Sequence, residues 1–225
     1  FAPIQFWEFY KTIAQNGGSI LSPDKKTVTI DSPENVETLT WMIDKVNSYK
    51  VTPSDVEMAG QSSEDLFKAG KIAMLRTGIW LLGDFAANAK FKWDIALEPG
   101  KTNKAHHFFA NGVAVSANSA HPAEAYQWIK FLTSSKAAVD LRIAAGWELP
   151  AVSDAAAVQG YLDQPVPESR EVVFQALDTA VVPPVIGNWN QLTDAVGKEL
   201  EAAKLGQKTP EQALKDAKTA IEGLL

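Results

Sequence analysis

Carboxylates are the side chains of this 225-residue chain with the plainest capacity for chemistry: Glu148 stands beside Trp147, and Asp94 and Glu98 lie within and just after the apolar run 93–97. A glycoside-processing enzyme needs two such groups facing each other across the scissile bond, one of them with a raised pKa. Glu98 falls in the turn Glu98-Pro99-Gly100 and Asp94 on the polar face of a strand, which accounts for both more simply. The catalytic pair stands as the alternative reading. Ser-His-Asp chemistry lacks its local signature, since no Gly-x-Ser-x-Gly elbow occurs. His106, His107 and His121 have no metal-ligand spacing. In an extended chain His106 and His107 point to opposite faces, so they are expected to be solvated residues of a surface crossing. Without cysteine there is no thiol nucleophile and no thiolate metal site. The expectation is no catalytic residue, no metal and no cofactor.

The seven tryptophans carry a stronger signal. Trp41 and Trp128 fall on apolar helix faces and Trp93 starts a strand, so these three are expected in the core. Trp80, Trp147 and Trp189 instead follow Gly78, Gly146 and Gly187, where the backbone turns. Rings delivered there can either seal a core or stack on the face of a ligand. Flat rings beside polar Asn111, Asn188 and Asn190 suit a sugar, which offers C–H faces and a rim of hydroxyls.

These residues must be held by a fold, and 46% hydrophobic content supplies a substantial core. A formal net charge of -6, without a run of Lys or Arg, argues against nucleic-acid binding. No stretch approaches the ~20 apolar residues of a membrane span. Helices are expected over 5–15, from Ser32-Pro33-Glu34 onward with the stripe Val36, Leu39, Ile43 and Val46, over 64–69, and from His121-Pro122 with Ala125, Trp128, Ile129 and Leu132 inward. Helical patterns return at 134–143, 153–162, 167–180, 189–205 and 209–224. Between them, 27–30 alternates like an edge strand, and 72–75, 93–97 and 112–115 read as strands, with 72–75 covered on both faces. Strands alternating with helices first, then helices alone, argue for α/β architecture with appended helices.

Taken in order, Asn16-Gly17-Gly18, the helix opened by Ser32-Pro33-Glu34, FKAGKIAMLRTGIW, ANGVAVSANSAHPAEAYQWIKFLTS, the GWELPA loop and the ending NWNQLTDAVGKELEAAKLGQKTPEQALKDAKTAI resemble the carbohydrate-binding, maltose-binding-protein-like members of the family 1 extracellular solute-binding proteins of ABC importers. The resemblance implies a type II periplasmic-binding-protein-like α/β fold, here mainly the C-terminal lobe with a helical C-terminal end. It implies a non-catalytic receptor that closes two lobes on a sugar or oligosaccharide, or on a non-sugar solute, and presents it to the transmembrane subunits of an ABC permease. Its location would be periplasmic or extracellular, peripheral to the membrane, with a lipid anchor as one means of attachment for the full-length protein. The family's aromatic platforms map onto Trp80 with Gly78 before it, onto Trp189 with Asn188, and onto Trp7 by counting back from Gly17-Gly18. Asn111 and Gly112 match a hinge-side loop that faces the ligand, and Trp147 with Glu148 a loop near the cleft. Thr193 stands where some members carry an arginine, a departure from the maltodextrin binders.

By the same resemblance, 1–104 form the first part of the C-terminal lobe, 105–150 cross into the other lobe, and 151–225 return. The chain then holds the later part of something longer, with the export signal outside it. The 113–115 strand and the Trp128 helix would lack packing partners, so the chain alone is expected to self-associate or to pair with its missing half.

Overall fold

The computed structural model describes residues 1–225 except 147, 150 and 154. Its core is helical. Helix α1 (Phe6–Gln15) forms because Phe6, Phe9 and Ile13 recur at helical spacing and are buried together. Helix α2 (Pro33–Asn47) opens as expected: the Ser32 hydroxyl accepts the Asn35 N–H at 3.4 Å and Pro33 fills the first helical position. Its most buried face runs through Leu39 and Met42, with Val36 and Ile43 at the margin. Short α3 (Asp55–Met58), α4 (Ser63–Lys68) and α5 (Leu82–Asn88) follow, each of the first two capped by the serine before it.

Near the end of the chain, α10 (Trp189–Lys204) and α11 (Pro210–Glu222) pack as a hairpin. Leu192, Val196 and Leu200 on one meet Leu214, Ala217 and Ile221 on the other, all but excluded from solvent. Burying each of the Leu, Val and Ile side chains stabilises the fold by about 1.5–3 kcal/mol. These two helices close on α1, α2 and the loop residues Ile20, Val28 and Ile30 to make one core.

The strands differ from expectation. Among the described residues the sheet has two members, β1 (His106–His107) and β2 (Ala180–Val181), paired in parallel, and the expected edge strand at 27–30 reduces to one antiparallel bridge between Leu21 and Val28. Segments 72–75, 93–97 and 112–115 enter no ladder with any described residue. Met74 is 78% exposed, so the run through it is not covered on both faces. A strand is made by a neighbour's N–H and C=O groups, and apolar composition does not supply the neighbour. Segment 93–97 instead delivers Trp93 into a satellite cluster with Phe67 and Phe85. The pattern 167–180 is also broken: α9 (Val172–Gln175) passes through a 3-10 turn into β2.

Helices α6 (Pro122–Ser134), α7 (Lys136–Ala145) and α8 (Ala155–Leu162) lie outside the main core, α6 against α7 and α7 against α8. No described residue of α6 is buried, and Trp128, expected inward, is 58% exposed. Trp41 is likewise half exposed, with the Lys45 ammonium 4.0 Å from its ring centroid.

Candidate ligand-binding site

Three of the tryptophans singled out by sequence converge. Trp7 is placed by α1, one residue beyond Phe6, on the flank of the core, and Trp189 by the first turn of α10. Their ring centroids lie 6.2 Å apart, and Phe6 sits edge-on to both. Trp80 arrives in the 3-10 turn Ile79–Leu81, folded over Gly78: a Cβ added at Gly78 would fall 2.0 Å from Trp80 Cζ3. Only glycine leaves room for the ring in that position.

The residue that joins them is Phe109, which the sequence reading passed over. It meets Trp7 at 5.2 Å, His107 at 5.0 Å and Trp80 at 6.3 Å, each edge to face. His107 in turn stacks on Tyr10 at 5.7 Å. The result is a continuous aromatic wall on which Trp80 and Phe109 remain about half exposed. Two residues past Phe109, exposed Asn111 donates from Nδ2 to Glu148 Oε2 at 3.4 Å, and Glu148 is ion-paired with Arg142. Gly112 lies open beside it. Asn188 donates its amide to the Leu224 carbonyl at 2.9 Å, which ties the start of α10 to the end of α11. Trp147 lies outside the described residues.

The histidines are not solvated crossing residues, because β1 turns His106 into the interior and His107 into the wall. His106 Nδ1 lies 2.7 Å from Thr179 Oγ1, and the Nε2 atoms of both are buried without a partner. Burial, then the Lys11 ammonium, pushes His107 down to about 4, so it is neutral at pH 7. The prediction that the two side chains face opposite ways holds.

Neither Glu98 nor Asp94 offers what a general acid requires. Burial opposes ionisation of Glu98, yet the Arg76 fork and then Lys11 outweigh it and bring the carboxyl down to about 2. Asp94 accepts from the Ser169 N–H at 2.9 Å and its hydroxyl at 2.6 Å, and these bonds hold it below the usual range despite some burial. Both shifts are opposite to the raised pKa of a glycosidase acid. Among the described residues no three His, Asp or Glu side chains are grouped to hold a metal, and no helix is long and apolar enough to cross a membrane.

Residues 2–139 match the family model described as bacterial extracellular solute-binding protein. The chain belongs to that family. Among solved structures, the chain is similar to the ABC substrate-binding protein of Listeria monocytogenes in complex with cycloalternan, at 44% identity and a TM-score of 0.94, covering 99% of this chain and 58% of that one. It is also similar to the GacH receptor of Streptomyces glaucescens, solved unliganded and with acarbose, at 23% identity and a TM-score of 0.84, covering 100% of this chain and 58% of that one. A binding protein of Brucella abortus is 24% identical over 221 residues, 96% of this chain and 52% of its own length. The chain thus spans a little over half the length of the relatives it matches. The expected type II binding-protein fold holds, with little sheet among the described residues.

Proposed function

We propose that the whole protein is a non-catalytic receptor for a sugar or oligosaccharide, periplasmic or extracellular, which closes two lobes around its ligand and presents it to an ABC-type permease. Residues 1–104 and 151–225 belong to one lobe and 105–150 reach toward the other. The carrying observation is the aromatic wall of Trp7, Phe109, Trp80 and Trp189, with the polar Asn111–Glu148 pair at its edge. Apolar ring faces beside a few hydrogen-bonding groups fit a polyol with C–H faces, and the Listeria relative at 44% identity was solved in complex with cycloalternan. Gly78 shapes the perch of Trp80, Gly112 frees the approach past Asn111, and Asn188 fixes the turn that presents Trp189. Trp147 is assigned to the same site by its place beside Glu148.

The test is a tryptophan-fluorescence titration of the full-length protein with a sugar panel. Binding should shift or quench emission while the sugar is recovered unchanged. Trp80→Ala and Trp189→Ala should each weaken affinity by roughly 1–3 kcal/mol. Turnover of the sugar, or unchanged affinity in both variants, would overturn the assignment.

A further inference from the structure

Three of the segments that carry the rings share one buried polar junction. Glu98 Oε2 accepts from Arg76 Nε at 2.9 Å and from Gln15 Nε2 at 3.0 Å, with Arg76 Nη2 as a further donor. Its Oε1 accepts from Lys11 Nζ at 2.6 Å. Arg76 also donates to Thr12 Oγ1 at 3.3 Å and Gln15 Oε1 at 3.1 Å, and Gln15 Nε2 reaches the Ala105 carbonyl at 2.9 Å. Glu8 completes the set: Oε1 pairs with Lys11 at 3.2 Å, and Oε2 lies 3.5 Å from Arg76 without a hydrogen bond. Two carboxylates thus balance two cations in a nearly closed space, where the Lys11 side chain is 5% exposed and those of Glu98 and Arg76 18% and 19%.

Each bond leads to a ring. Lys11 lies one helical turn beyond Trp7 on α1. Arg76 precedes Gly78 by two residues and Trp80 by four, and Ala105 leads directly into β1 and Phe109. Charge-assisted and bidentate bonds of this kind are short and directional, so they fix separations as well as contribute energy. Trp189 joins the wall through ring contacts only.

The geometry points to Glu98 as a positioning residue that sets the spacing of Trp7, Phe109 and Trp80, and so decides how many sugar units the wall engages at once. This rests on the sugar-binding reading. A single sugar ring covers one aromatic face and is indifferent to the spacing. An oligosaccharide lying on several faces loses dispersion contact wherever one is displaced by a fraction of an ångström.

The experiment uses the full-length protein labelled with 5-fluorotryptophan, as wild type, Glu98→Gln, Arg76→Lys and, as a surface control, Lys215→Ala. Calorimetric titration with glucose, maltose and maltotetraose should show about tenfold or greater loss for maltotetraose in the first two variants, with glucose within about twofold. In the fluorine spectra the Trp7 and Trp80 resonances should shift, while that of Trp128 on α6 stays. Losses equal at every chain length, or wall resonances that do not move in a folded variant, would overturn the proposal. Arg76→Lys keeps the charge and removes the fork, so it decides the matter if Glu98→Gln does not fold. If the wild type binds none of these three, the titration uses the shortest and longest members of the glycan series it does bind; if it binds no sugar at all the sugar reading fails, and the fluorine spectra still decide whether Glu98 sets the ring spacing.

Discussion

Phe109 holds the wall together, its ring 5.2 Å from Trp7 and 6.3 Å from Trp80, so that displacing it would part the two. Trp7, Trp80 and Trp189 were legible, because glycine turns and counting from Gly17-Gly18 single them out. Phe109, Tyr10 and His107 were not, since the contact that converts a crossing loop into part of the wall is the register of β1 on β2, set by residues such as Thr179, 73 positions from His106. The burial of His107 has a measurable consequence. Its imidazole titrates at about 4 when folded against 6.5 for the free group, so the folded form refuses a proton that the unfolded chain accepts. Its contribution is whole above about pH 6.5 and is lost as pH falls toward about 4, on the order of 3 kcal/mol by linkage. Denaturant melts between those pH values should therefore be less steeply pH-dependent in His107→Gln than in the wild type; identical slopes would refute this account. At Gly78, any Cβ collides with the Trp80 ring. Gly78→Ala should displace that ring and weaken sugar affinity by an amount comparable to Trp80→Ala, with little change in melting temperature.

At the scale of elements, helices announce themselves in the sequence and strands do not, for one physical reason. A helix closes its hydrogen bonds within itself, so caps and spacing announce it: Ser32 before Pro33, Thr209 before Pro210, Ser135 before α7. A strand closes them with a partner elsewhere, and the apolar runs at 72–75, 93–97 and 112–115 find none among the described residues. The caps make quantitative predictions. Ser32→Ala and Thr209→Ala should each lower unfolding free energy by about 1 kcal/mol in urea melts. Gly18→Ala should cost more, because its Cβ would lie 1.9 Å from Asn35 Oδ1, and the Asn35 amide donates to the carbonyls of Ser19, Thr29 and Ile30 across the start of α2.

For the whole molecule, the family and fold were legible in the order of six motifs, whereas the burial of α6 was misjudged because apolar spacing reports a face and not its cover. Tyr126, Trp128 and Phe131 stand about half exposed on that helix, with the last two stacked 5.6 Å apart. On α7, Leu141 is 72% exposed. Exposed apolar rings such as the stacked Trp128–Phe131 pair favour association. The 225-residue chain prepared alone should therefore sediment above its 24.4 kDa monomer mass, and Trp128→Ser with Phe131→Ser should shift it toward the monomer; a monodisperse wild-type monomer would contradict this. The aromatic wall, finally, is assembled from four stretches far apart along the chain, so a ligand lying on it can be held only while all four are in place. Binding then adds to stability by mass action, about 2.7 kcal/mol at a hundredfold excess over Kd. Heat-melting the full-length protein against a library of glycans would rank candidate ligands by the rise in midpoint alone, without labels.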